Sequence, residues 1–392
     1  MQKCFPGLDS LRFLAAMFVV IYHIPTNQKG TGLPSWHWGG FFDRGESAVL
    51  FFFTLSGFLI TFLLLAEQRS RGCISVKAFY VRRILRIWTL YFLIVSFGLC
   101  FYLVLMPAFG MTRVIEYNTI RPLGYRLSTA VALYGLFLPN LMTSLYSMGG
   151  ILNVTWSIGV EEQYYLSWAP IVARARGRIL GILVVVFVLF LALSVWAHYH
   201  QQGLGRFAIF VGSLNFHFMA TGGLLAYAAF HHRERLFALA PLRWRALRWV
   251  MLLLLMQFYL VGWFPKTWLS TQVIQLVLYP MLLAEVALQE RPIFRLTSHW
   301  VERLGEASYG IYMYHMVVVY LVSFLFLKTL WWRNSPFAYM ISYYVLAIGG
   351  TIVVSLLSYR YFEQPFLRLK GQFTSRGAKG LVGSLPLPNF ES

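Results

Sequence analysis

Blocks of mostly apolar residues recur along the whole chain, each about 17 to 25 residues long and therefore able to cross a ~30 Å hydrocarbon core as a helix. They fall at 8–26, 47–66, 87–106, 154–172, 179–197, 207–229, 248–264, 268–289, 308–328 and 337–359. The pattern predicts an all-α polytopic membrane bundle of ten transmembrane helices without a water-soluble domain. The first block starts at Leu8 with neither a basic n-region nor a small-residue cleavage site before it, which marks a retained helix and not a signal peptide. The longest connection, 107–153, carries the apolar piece AVALYGLFLPNLM, interrupted by Pro139 and Asn140. It is read as a re-entrant or interfacial helix, because a full crossing there would carry the basic run RARGR at 174–178 to the outer side. Residues 1–370 form the transmembrane domain in this reading. The Gly-, Ser- and Pro-rich stretch 371–392 is expected to be a disordered cytoplasmic tail.

Composition sharpens the class. The 392 residues are 58% hydrophobic, 18% aromatic and 12% charged, where a soluble domain carries roughly 25% charge. A net charge of +19 raises the question of nucleic acid. Its distribution answers it: with both termini inside, most of the 33 Lys and Arg fall on cytoplasmic connections, including the run RERLFALAPLRWRALR at 233–248. The partner implied is the lipid bilayer, and no nucleic acid. Cys4, Cys73 and Cys100 lie near or in the membrane on the cytoplasmic side, where thiols stay reduced, and they form no CxxC or zinc pattern.

Ionisable groups inside hydrocarbon cost about 2.5 to 3.5 kcal/mol each on insertion scales, so each one in a span is a functional candidate. The first helix sets Asp9 and Arg12 at i, i+3, with His23 about 16 Å deeper than Arg12. In the fourth, TWSIGVEEQYYLSWAP places the adjacent Glu161 and Glu162 about 18 Å from Arg174. In the ninth, SYGIYMYH sets His315 about 13 Å from Glu306, and in the second, TLSGF holds Ser56 and Gly57 about 15 Å from Glu67. These insertions share a depth and are expected to line one cavity, although depth alone does not fix lateral proximity. His23 is the stronger histidine, since its helix is otherwise apolar from Phe13 to Ile21. His315 among tyrosines fits an interhelical hydrogen bond better than catalysis, and His217 in NFHFMATGG is structural.

Six Arg and Lys crowd the stretch Arg69 to Arg86, and FYVRRILRIW carries Arg82, Arg83 and Arg86 into the third helix at spacings that share a face. Guanidinium forks pair with phosphate, so the cluster fits a nucleotide pyrophosphate or a lipid headgroup. A positive-inside anchor that snorkels to the interface fits it equally.

These segments, taken in order, resemble the membrane-bound acyltransferase 3 family. GLDSLRFLAAMFVVIYH resembles its opening GLDGLRxxAxxxVxxxH, FFFTLSGFLI its SGF segment, FYVRRILRIW its RRxxR element, TWSIGVEEQYYL its WSLxxExxFY element, SYGIYMYH its SYxIYLxH element and YRYFEQPFLRL its closing ExP segment. The match runs from Gly7 to about Leu369. Ser10 stands where Gly is usual, Tyr164 where Phe is usual, and Thr89 where a Pro more often follows RIW, which predicts a straighter start to the third helix.

The resemblance implies an acyl-CoA-dependent O-acyltransferase of the bacterial cytoplasmic (inner) membrane, with acetyl-CoA the first choice of donor and no metal. Arg82, Arg83 and Arg86 would grip the CoA phosphates. His23 would take the proton of an acceptor hydroxyl as it attacks the thioester. Glu161 or Glu162 would orient an imidazole or bind acceptor hydroxyls, and Ser157 and Tyr312 would donate to the developing oxyanion. Asp9, Arg12, Ser56, Trp156 and His315 complete the substrate-binding candidates, and an acyl-histidine or an acyl-Ser56 intermediate fits as well as direct transfer. The acceptor expected is a lipid-linked or extracytoplasmic polysaccharide unit, with a small hydroxylated metabolite such as a macrolide sugar second. Some relatives carry an additional soluble hydrolase-like domain, so either the acceptor reaches the membrane site or a separate extracytoplasmic transferase finishes the reaction. A transporter or flippase for an anionic or acylated solute is the alternative class. Against it, the chain has no matched pair of broken helices or repeat halves.

Overall fold

The computed structural model describes residues 5, 7–36, 44–105, 108, 127–146, 150–175, 177–261, 267–296, 298–329 and 335–369. The expected tail at 371–392 lies outside the described residues, as does Cys4. Among those residues every regular element is a helix: α1 (Leu8–Gly30), α2 (Gly45–Arg71), α3 (Val76–Leu105), the short α4 (Leu127–Gly135) and α5 (Pro139–Tyr146), α6 (Thr155–Arg174), α7 (Ile179–Ser213), α8 (Phe216–His231), α9 (Arg245–Met256), α10 (Trp268–Leu288), α11 (His299–Glu306), α12 (Ser308–Thr329) and α13 (Pro336–Leu369).

Seven helices among the described residues are long and apolar enough to cross a membrane. One of these seven, Ile179–His231, covers two of the expected blocks. As a straight rod its 53 residues would run about 80 Å, more than twice a bilayer core. It turns instead at Gly205 (φ 44°, ψ −112°) and at Leu214–Asn215, where Asn215 takes a left-handed φ of 48°. α6 and α9 also fall on expected blocks but are not among the seven. The outer face of α7 leaves Val185, Val188 and Leu189 at 63%, 57% and 50% exposure, an apolar surface suited to lipid. The protein is a multi-pass membrane protein. The apolar piece in the long connection folds as α4 and α5, of 9 and 8 residues, each too short to cross. The break between them at Phe137 (φ 56°) is held by packing of that ring on Trp88 and Tyr91.

Two devices bring the helices close enough to build a polar interior. Glycines let backbones touch: a Cβ at Gly57 would overlap the Met219 carbonyl of α8, one at Gly222 the Thr54 carbonyl of α2, and one at Gly305 the Asp9 carbonyl of α1. Ser56 and Gly57 therefore divide their labour, Gly57 admitting α8 while Ser56 faces inward. Ser10 keeps its place by donating to the Leu296 carbonyl at 2.6 Å. The second device is the π-turn, which inserts a residue into a helix and rotates everything beyond it. α3 contains two, Ile84–Trp88 and Phe101–Leu105. The first π-turn ends at Trp88, immediately before Thr89, and the helix continues through it.

α9 and α10 are joined by an ion pair that the basic run 233–248 conceals in the sequence. Arg248 donates through Nε and a terminal nitrogen to Glu285 at 2.6 and 2.7 Å, with side-chain exposures of 10% and 5%. Glu285 sits in the π-turn Ala284–Leu288 and also accepts from the Ile293 amide at 2.6 Å. Removing one partner strands the other charge in a buried setting, which typically costs about 3–5 kcal/mol. Glu285→Ala is expected to lower the thermal unfolding midpoint of the detergent-solubilised protein by several degrees, and Arg248→Ala by a similar amount. The double substitution Arg248→Met with Glu285→Leu should recover most of the loss.

Candidate active site

Five helices meet around one cavity of about 90 Å³. α1 contributes Arg12, α2 Ser56, α3 Arg83 and Arg86, α6 Ser157 and Glu161, and α12 Tyr309 and Tyr312. Of the insertions expected to share one cavity, Ser56 and Glu161 line it, whereas Gly57, Glu162, His23 and His315 do not. His23 meets His315, which in turn meets the Tyr312 carbonyl.

Glu161 is the cavity's carboxylate. Ser56 donates to its Oε1 at 3.0 Å and Tyr165 to its Oε2 at 2.7 Å. Tyr165 is one helical turn beyond Glu161, so the i, i+4 spacing that pairs neighbours on a helix face produces this contact. Glu162, next in sequence, points about 100° away around the helix. Its Oε2 accepts from the Trp88 indole at 2.8 Å, and its buried Oε1 has no hydrogen-bond partner among the described residues. Glu162 therefore ties α6 to α3, and the two carboxylates do not share a site. The α4–α5 break supports a further face of α6, where Gln163 donates to the Phe137 carbonyl and to Asn140 Oδ1, both at 2.8 Å.

The arginines of α3 also part company. Arg82 donates to Glu67 Oε2 at 3.1 Å, a carboxylate that lies 3.6 Å from Arg71 as well, and it is outside the cavity lining. Arg83 turns inward with its guanidinium 5.4 Å from the Phe79 ring centroid and 5.3 Å from that of Tyr165. Its buried Nε lacks a hydrogen-bond partner among the described residues. Arg86 is carried into the cavity by the π-turn Ile84–Trp88, which Tyr309 secures by donating to the Ile87 carbonyl at 2.9 Å. Arg12 completes the set, held by Asp9 at 2.9 Å. Three guanidinium groups thus border a cavity whose lining holds one carboxylate, Glu161.

One turn further along α12 from Tyr309, Tyr312 and Ser157 share a hydroxyl–hydroxyl hydrogen bond of 2.7 Å, and Tyr312 also reaches the Val154 carbonyl at 3.2 Å. The Tyr312 carbonyl lies 2.6 Å from Nδ1 of His315, and Nε2 of His315 lies 3.2 Å from Nδ1 of His23. His23 Nδ1 is also 2.9 Å from the Val19 carbonyl. A carbonyl only accepts, so with both rings neutral each Nδ1 carries the hydrogen. His23 Nδ1–H is then shared between the Val19 carbonyl and the lone pair of His315 Nε2. The Nε2 of His23 is left with a free lone pair and no partner among the described residues. His315 is completely buried, and the interhelical hydrogen bond expected of it is made to the histidine named as the base.

Trp156 packs edge-on against Phe53 at 6.0 Å and does not line the cavity. Tyr165 and Tyr309 belong to the site although the sequence reading passed over them. Their signal was there, in the i, i+4 step from Glu161 and in the SY pair that opens α12. Glu363, in the π-turn Tyr359–Glu363 of the closing segment, is buried, accepts from Ser358 at 3.3 Å and faces Gly310 of α12. His217 is buried and bonded to Gln272 at 3.2 Å, away from the cavity. Among the described residues no group of three or more His, Cys, Asp or Glu is placed to hold a metal ion.

The sequence matches the family model of the acyltransferase domain, acyltransferase 3, over residues 5–360. A peptidoglycan O-acetyltransferase of Listeria monocytogenes, OatA, is 22% identical over 381 residues, covering 93% of this chain and 56% of the relative. A putative O-acetyltransferase of Staphylococcus aureus is 25% identical over 387 residues, covering 93% and 58%. A putative peptidoglycan O-acetyltransferase of Bacillus subtilis, YrhL, is 30% identical over 167 residues, covering 43% and 23%. The chain thus spans a little over half the length of the first two relatives, and no solved structure matches it. With the family model covering nearly the whole chain and five of the six motif segments contributing to one cavity, this protein belongs to the acyltransferase 3 family of membrane acyltransferases.

Proposed function

We propose that this protein transfers an acyl group, acetyl in the first instance, from acyl-CoA to a hydroxyl of a carbohydrate acceptor, a cell-wall or surface polysaccharide unit. The observation that carries the reading is the charge of the cavity. Arg12, Arg83 and Arg86 face it against Glu161 alone, with Arg12 further balanced by Asp9. An excess of guanidinium in a membrane interior is costly without an anion. CoA brings phosphates that guanidinium forks bind, and the unpartnered Nε of Arg83 is ready to donate. The arginine end faces the cytosol in this reading, where acyl-CoA is available, which places the protein in the bacterial cytoplasmic membrane.

The thioester end then lies near Tyr312 and the histidine pair. His23 Nε2 takes the acceptor's proton as the hydroxyl oxygen attacks the thioester carbonyl. The resulting imidazolium keeps its Nδ1–H on the Val19 carbonyl and on His315 Nε2, so His315 stabilises the cation and fixes the ring. The developing oxyanion is served by the Tyr312 and Ser157 hydroxyls. CoA thiolate leaves, and collapse of the tetrahedral adduct gives the ester. Glu161, held by Ser56 and Tyr165, neutralises part of the arginine charge and keeps the guanidinium groups in register for the phosphates.

Detergent-purified protein given acetyl-CoA and a crude surface-polysaccharide fraction should release free CoA, and His23→Ala should lower kcat about 10²- to 10⁴-fold. Undiminished turnover in that variant would remove the base from the scheme. Arg83→Gln is expected to raise KM for acetyl-CoA about tenfold or more with a smaller change in kcat, whereas Arg82→Gln, bonded to Glu67, should shift KM less. Equal effects would mean that the cavity is not the phosphate site. His315→Ala should lower kcat at unchanged KM for acetyl-CoA, and His315→Gln, whose amide oxygen can accept from His23, should recover part of it; a variant pair with identical rates would reduce His315 to packing.

A further inference from the structure

A cavity of about 90 Å³ is too small for a whole acyl-CoA, since pockets that enclose a small molecule run to about 300–1,000 Å³. It has room for phosphate or thioester groups, and the adenosine end of CoA has to lie outside it. A recess of about 480 Å³ opens where α11 faces the end of α13. α11 presents His299, Glu302, Arg303 and Glu306 to it, at the i, i+3, i+4 and i+7 spacing of one helix face. α13 supplies Tyr359, Arg360 and Gln364.

The recess lies at the arginine end of the cavity. The contact of Gly305 with the Asp9 carbonyl seats α11 directly on the residue that holds Arg12. Just beyond Glu306, Ser308 and Tyr309 already line the cavity. From α13, Tyr359 lines the recess and lies within electrostatic reach of Arg86, a cavity residue, as does Glu363 one helical turn on. The walls of the recess also suit a nucleotide. Among the described residues neither Arg303 nor Arg360 makes an ion pair. Both are exposed, with Arg360 5.4 Å from the Tyr361 ring centroid, so each keeps donors for a phosphate. Glu302, Glu306 and Gln364 match the amine of adenine and the hydroxyls of ribose, and Tyr359 offers a ring for stacking.

We propose that this recess is the subsite for the adenosine 3′-phosphate end of CoA, with Arg303 and Arg360 on the 3′-phosphate and the rest of the donor running past Tyr359 and Arg86 into the cavity. The assignment rests on acyl-CoA as the donor. Detergent-purified protein is titrated with CoA and with 3′-dephospho-CoA by isothermal titration calorimetry. CoA should bind about tenfold more tightly than 3′-dephospho-CoA. The double substitution Arg303→Gln with Arg360→Gln should abolish that difference while leaving the affinity for 3′-dephospho-CoA and the unfolding midpoint unchanged. Arg235→Gln, at an exposed arginine outside the recess, should leave the difference intact, which separates a local contact from net charge. Equal binding of the two ligands by the unaltered protein, a preference that survives the double substitution, or its loss in Arg235→Gln would overturn the subsite and leave the donor standing. Failure of the unaltered protein to bind CoA at all would remove the donor and the subsite together.

Discussion

The site rests on the charge balance around Glu161. Three guanidinium groups enter one small cavity inside a helical bundle, where like charges repel through a medium far less polarisable than water. Glu161 offsets them only while its own oxygens are held, and Ser56 and Tyr165 do that from two different helices. Asp9 performs the equivalent service for Arg12 from the preceding turn of α1. Asp9 thus fixes Arg12 directly, while Glu161 offsets the arginine charge from across the cavity and Arg83 rests on the Tyr165 ring.

Such an arrangement needs backbones that approach closely and side chains aimed off the regular helical register. Gly57 and Gly222 allow α2 and α8 to meet carbonyl to Cα, which holds the α2 face bearing Ser56 in place. The π-turn Ile84–Trp88 redirects Arg86 and is anchored from α12 by Tyr309. Further π-turns carry Glu285, where a buried ion pair joins α9 to α10, and Glu363, where the closing segment meets α12. Three of the five π-turns among the described residues, those with Arg86, Glu285 and Glu363, present an ionisable residue inward, whereas Phe101–Leu105 and Gln257–Val261 carry none; a widened turn lets a helix do this without rotating its whole apolar face.

A second polar cluster adjoins the cavity. His23 and His315 come from helices 292 positions apart in the chain, and each is oriented by a carbonyl of its own helix. Tyr312 lies between the charged cavity and this pair, touching one with its hydroxyl and the other with its carbonyl. A single turn of α12 therefore joins an anion-attracting region to a region with a free imidazole lone pair. This division suits a donor whose phosphates are remote from its reactive carbonyl.

What the sequence determined by itself was the class of the molecule and most of the parts. Apolar block length decided on a helical membrane bundle, because only a helix satisfies its own backbone over that distance in lipid. The rarity of charge in and beside those blocks picked out Asp9, Arg12, His23, Arg82, Arg83, Arg86, Glu161 and Glu162 without ranking neighbours. Only the tertiary structure decided how they were used. Adjacent residues look alike in a motif but point to different neighbours: Glu161 faces the cavity while Glu162 holds Trp88, and Arg83 faces inward while Arg82 holds Glu67. Those choices depend on helix rotation and on π-turns, which sequence periodicity does not encode. The pairing of His23 with His315 was hidden for the same reason, since depth along a helix is set by local geometry, whereas lateral contact is set by how the whole bundle packs.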